Sequence, residues 1–118
     1  MATTTRFPYD LKLAIRASAE QSVGATNTDS VDLGSAGATG HKPICAVVHV
    51  TDVGSSGTLD LIVQGSTDDS SFSAIVTYKQ IDSTGKYHIW FEDESYRYFR
   101  INSTCGSEAV TWEAFLAA

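Results

Sequence analysis

The chain has little of what most function classes require. Of its 118 residues two are cysteine, two proline and one methionine. Cys45 and Cys105 are too few for a disulfide framework or a structural zinc site, so stability has to come from a packed core. Both read as small, free core thiols, buried or half-buried; a bridge between them is not readable from spacing. Basic charge is scarce, with 8 Lys and Arg against 14 Asp and Glu and a net charge of −6. Binding nucleic acid needs a basic stripe to displace counterions. Arg97 and Arg100 are close together, but Glu92, Asp93 and Glu94 precede them. Nucleic acid and anionic lipid are therefore both disfavoured as partners. No apolar run is long enough to span a bilayer as a helix, and no charged start leads into an apolar segment. The expected place of synthesis is a cytoplasm.

The residues of catalysis are equally sparse. There is no Gly-x-Ser-x-Gly elbow and no phosphate-binding glycine loop. The three histidines, His41, His49 and His88, have no metal-ligand spacing. The members of a catalytic triad lie far apart in a chain, so spacing does not decide that case. Asp68 and Asp69, beside Ser66 and Thr67, lack the spaced oxygens and closing Glu of a calcium loop and read as a self-bonded turn. The expectation is no enzyme, no metal and no cofactor.

What is there is the vocabulary of short strands. Hydrophobic residues make up 42% of the chain, and Ser, Thr and Gly fill much of the rest. Asp10 to Ser18 alternates, with Leu11, Leu13, Ile15 and Ala17 on one side. Val31-Asp32-Leu33 is a short strand within the irregular stretch from Glu20 to Pro43. Ile44 to Thr51 is apolar on both faces, as a central strand is. Thr58 to Gln64 follows after a Gly-rich turn, and the two read as a hairpin. Further strands fall at Phe72 to Gln80, Lys86 to Phe91, Tyr96 to Thr104 and Glu108 to Leu116. In the Lys86 to Phe91 strand Tyr87, Ile89 and Phe91 share one face, and His88 and Trp90 the other. No segment keeps a 3.6-residue period. Short, evenly spaced strands with turn signals predict a single all-β domain over residues 10–118, an antiparallel jelly-roll-like sandwich of about eight strands. Leu13, Ile15, Val48, Leu61, Ile89, Phe99, Ile101 and Trp112 form the expected core. Tyr87, Trp90, Tyr96, Tyr98, Phe99 and Trp112 read as core and cross-strand aromatics, with a sugar platform as the alternative.

Two segments fall outside this pattern. Residues 1–9 form an expected N-terminal arm in which Arg6 leads into Phe7-Pro8-Tyr9, an aromatic pair around a proline. The loop from Gly34 to Gly40 is made of small, turn-tolerant residues. Arg6, Phe7, Pro8, Tyr9, Gly34, Ser35, Gly37 and Gly40 are the expected contact residues for a partner. The simpler role for Phe7 and Tyr9 is to cap one end of the sandwich.

One resemblance is specific. Asp32-Leu33-Gly34, the Gln64 to Phe72 turn, the Tyr96 to Arg100 strand and the final Val110 to Leu116 strand occur in an order that resembles the cement, or decoration, proteins of tailed-bacteriophage capsids. The likeness is to the jelly-roll type first known from a Bordetella phage, and it covers roughly residues 10 to 117. It implies a structural protein on the outer face of a virion, bound to the major capsid protein as a homotrimer at three-fold and quasi-three-fold positions. The segments VQGSTDDSSFSAI and YRYFRI are also similar to discoidin-like, galactose-binding-like jelly rolls. That second resemblance implies a carbohydrate-binding module on a virion or tail.

Overall fold

The structure, a computed structural model, describes residues 12–33, 44–91 and 96–117, with residues 12 and 13 by their backbone alone. The described residues form nine strands. They are β1 (Lys12–Gln21), β2 (Gly24–Asn27), β3 (Val31–Asp32), β4 (Ile44–Asp52), β5 (Thr58–Ser66), β6 (Ser73–Thr77), β7 (Gly85–Phe91), β8 (Tyr98–Gly106) and β9 (Val110–Ala117). One sheet has the order β1-β9-β4-β7; the other has β2-β8-β5-β6, with β3 also paired to β8. Every pairing is antiparallel.

Period-two alternation builds the core. β9 sends Val110, Trp112, Ala114 and Leu116 inward, and β4 sends Ile44, Ala46, Val48 and Val50. They meet Leu59, Leu61 and Val63 of β5 and Phe99 and Ile101 of β8. Ile15 and Ile89 are buried with them, as expected. At roughly 25 cal/mol per Å² of apolar area, this two-sided burial is the main stabilising term. Cys45 and Cys105 are free and buried, and burial pushes both thiols up. On β4 the outward set is covered only in part, with Cys45 buried and Val47 and His49 half-buried.

The structure corrects the sequence reading in four places. The expected hairpin of β4 and β5 does not form. β4 pairs with β7 and β9, and β5 with β6 and β8, so the chain changes sheets between them. The crossing turn is closed by Gly57 N–H donating to Val53 O at 2.8 Å, and Gly54 stands at φ +61°. Placing the two strands in facing sheets buries both apolar faces in one core. A ninth strand, β2, was not expected. It is exposed throughout and therefore shows no alternation. Ala17 is exposed, because register shifts between Ala14 and Arg16 and between Arg16 and Ala19 rotate β1 out of strict alternation. The Phe72 to Gln80 strand is shorter than expected, ending at Thr77, although Tyr78 N–H still donates to Leu61 O at 2.9 Å.

Candidate functional surface

The segments of the sequence that stood out most meet at one end of the β8 sheet, and their chemistry is structural. Arg97 holds Asp32 with two parallel bonds, Nε to Oδ1 at 2.6 Å and Nη2 to Oδ2 at 2.9 Å. The Asp32 hydrogen bond holds the Arg97 guanidinium above its ordinary range. The same backbone unit clamps both neighbours: Leu33 N–H donates to Arg97 O at 3.0 Å, and Arg97 N–H to Ser66 O at 3.1 Å. Arg100 donates from Nε to Gln64 Oε1 at 2.7 Å, and its guanidinium lies 3.9 Å from the Phe72 ring centre. Gly65 is glycine for a steric reason, since a Cβ there would meet the Tyr96 ring at 2.7 Å. In the following turn Asp68 Oδ1 accepts from Ser70 N–H at 2.9 Å, Ser71 N–H at 3.0 Å and the Ser66 hydroxyl at 2.9 Å. Those bonds hold its carboxyl below the usual range, and Asp69 beside it stands at φ +59°. The turn is self-bonded, as its sequence suggests.

A second polar cluster fixes β1. Gln21 is buried and uses every polar atom of its amide. Its Nε2 donates to Gly24 O at 3.0 Å and Ser103 O at 3.3 Å, while its Oε1 accepts from Ser103 Oγ at 2.8 Å and Trp112 Nε1 at 3.0 Å. Arg16 stacks on Trp112 at 4.5 Å and donates from Nε to Trp112 O at 3.2 Å and from Nη2 to Ala19 O at 3.0 Å. Burial pulls this guanidinium down. Arg16, Glu20, Gln21 and the turn to β2 line an open depression of about 350 Å³. A third cluster ties the β4–β5 turn to Glu108. One oxygen, Oε2, accepts from the backbone N–H and the hydroxyl of both Ser55 and Ser56, at 2.7 to 3.0 Å. Those bonds hold the Glu108 carboxyl below its usual range.

Among the described residues no three His, Cys, Asp or Glu side chains gather into a metal site. His49 Nδ1 lies 3.5 Å from Glu113 Oε2 on a half-exposed face, with no nucleophile in the pair. Among the described residues two large apolar side chains are exposed, Val23 at 59% beside β2 and Trp90 at 61% on β7. Trp90 shares the outward face of that strand with exposed Lys86 and His88. The sequence reading counts Trp90 among the core and cross-strand aromatics, and its exposure takes it out of the core. Nothing local in the sequence marked β7 as the end of a sheet, or Gln21 and Glu108 as hubs. The expected contact residues Arg6, Phe7, Pro8, Tyr9, Gly34, Ser35, Gly37 and Gly40 lie outside the described residues, as does His41.

No protein-family model matches the chain, and no curated protein does. Solved structures do. Chitosan-binding module 1 of a chitosanase/glucanase from Paenibacillus sp. IK-5 superposes with a TM-score of 0.56 at 18% identity, covering 87% of this chain and 76% of that one. The V110M mutant of that module gives 0.52 at 19% identity, covering 85% and 74%. The CBM32 of AlyQ, solved with 4,5-unsaturated mannuronic acid, gives 0.51 at 19% identity, covering 81% and 70%. At these identities the likeness is one of fold, and the fold of this chain is an antiparallel jelly-roll-like β-sandwich.

Proposed function

We propose that this chain is a capsid cement protein. It would be made in a host cytoplasm and bound to the outer face of a phage head, with the major capsid protein as its partner and three copies around each three-fold or quasi-three-fold position. The observation that carries this reading is the convergence of three of the resembling segments. Asp32, Gln64, Phe72, Tyr96, Arg97 and Arg100 are scattered over the sequence, yet they lock together by the contacts described above. Three of the four segments that resemble cement proteins thus act as one bracing unit whose polar chemistry is spent on rigidity, while the fourth, Val110 to Leu116, lies on β9 in the facing sheet. A cement protein needs a stiff body and contact surfaces, and several modest contacts per trimer multiply through avidity. The net charge of −6 suits a place outside the shell, away from the genome. Adding purified protein to undecorated heads of the matching phage should give saturable binding and a higher temperature of head rupture. Heads that neither bind it nor gain stability would remove the reading.

The likeness to a chitosan-binding module and to a CBM32 favours a second reading, a glycan-binding module that faces outward. Exposed Trp90 supplies an aromatic face of the kind that sugars stack on. Titration with chitosan and uronate oligosaccharides separates the two. Saturable binding that Trp90→Ala abolishes would favour the glycan module.

A further inference from the structure

We infer that β7 is a docking edge for a second copy of this chain, pairing antiparallel with the partner's β7 about a two-fold axis at His88. An exposed sheet edge is a template for another strand, and proteins ordinarily blunt such edges with bulges, short strands, charge or proline. Three of the four edges described here are blunted. β1 carries two register shifts, β6 has five residues and a register shift in its pairing with β5, and β2 and β3 have four and two residues. β7 is different. It has seven residues, contains no proline, and pairs with β4 in unbroken register from Gly85 opposite Val50 to Phe91 opposite Ile44. Among the described residues it ends its sheet.

The sequence of β7 is complementary to itself in that arrangement. With His88 opposite His88 of the second copy, Lys86 falls opposite Trp90 and Trp90 opposite Lys86, both pairs on the outward face. An ammonium over an indole is the favourable cation–π pairing, and directly opposed side chains are close enough to make it. The same register puts Gly85 opposite Phe91, small against large, and Tyr87 opposite Ile89, all on the inward face. It covers Trp90, the most exposed large apolar side chain among the described residues. Lys86, the one charged side chain on β7, thereby becomes half of a contact. The pair would join two four-stranded sheets into one of eight. This inference is independent of the shell reading and holds equally for a free module. On a shell, such two-folds would link one three-fold cluster to the next.

The test is sedimentation equilibrium of the full chain, with two variants. The wild-type mass should rise from 12.7 kDa toward twice that value with concentration. Trp90→Lys sets like charges opposite each other at both ends and should weaken association at least about tenfold, with an unchanged circular dichroism spectrum. His88→Cys should form a disulfide-linked dimer on oxidation, because opposed residues in an antiparallel pair lie about 4.5–5.5 Å apart between Cα atoms, within disulfide reach. The native thiols are buried and give little background. A wild type that stays monomeric at high concentration overturns the inference. So does a dimer that Trp90→Lys leaves intact, or one in which His88→Cys fails to cross-link.

Discussion

The two edges of the β1-β9-β4-β7 sheet solve the same problem in opposite ways. At β1 the backbone is irregular, and its polar groups turn inward on Gln21, Arg16 and Trp112. At β7 the backbone is regular, and the side chains that face outward, Lys86, His88 and Trp90, are exposed. A bulged edge closes itself and cannot template a further strand; a regular edge with an exposed indole can. The difference teaches that stability and association are assigned to different edges of one sheet. Substitutions should therefore separate into those that cost folding and those that cost only contact.

The largest effect is expected at the point where β1 meets the core. Trp112→Ala removes a fully buried indole and should cost about 3–5 kcal/mol in chemical denaturation. Gln21→Ala leaves the Trp112 indole N–H and the Ser103 hydroxyl without their buried acceptor and should cost about 2–4 kcal/mol on the same measurement. Arg16→Ala removes the stacked guanidinium from the exposed side of that cluster and should cost about 1 kcal/mol. At a concentration where the chain is monomeric, Trp90→Ala should change stability by less than about 0.5 kcal/mol, because the indole it removes is mostly in water in the single chain. If Trp90→Ala destabilises as much as Gln21→Ala, the contrast between the edges is wrong.

Acid sharpens the comparison further. Glu108 and Asp68 have folded-state pKa values below their unfolded ones, because hydrogen bonds favour the ionised form. Their stabilisation is complete above the unfolded carboxylate values, near pH 4, and is lost as pH falls through the lower folded values. A stability profile from pH 7 down to pH 2 should therefore fall on the acid side. Glu108→Gln should flatten part of that fall while leaving association through β7 unchanged. A variant profile that parallels the wild type would show that the bonds from Ser55 and Ser56 to Glu108 carry no linkage.

Much of this architecture was legible along the chain. Val110, Trp112, Ala114 and Leu116 alternate without interruption, and the structure buries all four. Phe99 and Ile101 on β8 and Leu61 and Val63 on β5 behave the same way, because strands with one face on a core leave a period-two record. The partnership of β4 and β5 was misread because alternation reports which face is apolar and is silent on which strand lies alongside. The two register shifts in β1 left no local signal, since Ala14 and Ala17 fit either face. β2 is invisible for the opposite reason: a strand exposed on both faces has no pattern. The polar hubs are long-range facts, with Gln21 91 residues from Trp112 and Glu108 53 residues from Ser55. Trp90 lies between these cases. The sequence separates it from the face of Ile89 and Phe91 but reads it as a packed aromatic, and its exposure follows from where β7 falls in the strand order.

The most direct test of the proposed function is a cryo-electron microscopy map of the mature particle that carries this chain. The account predicts density for a two-sheet sandwich on the outer face of the head at three-fold and quasi-three-fold positions, in contact with the major capsid protein. A map with this chain on the tail, inside the shell, or absent from the three-fold positions would contradict it.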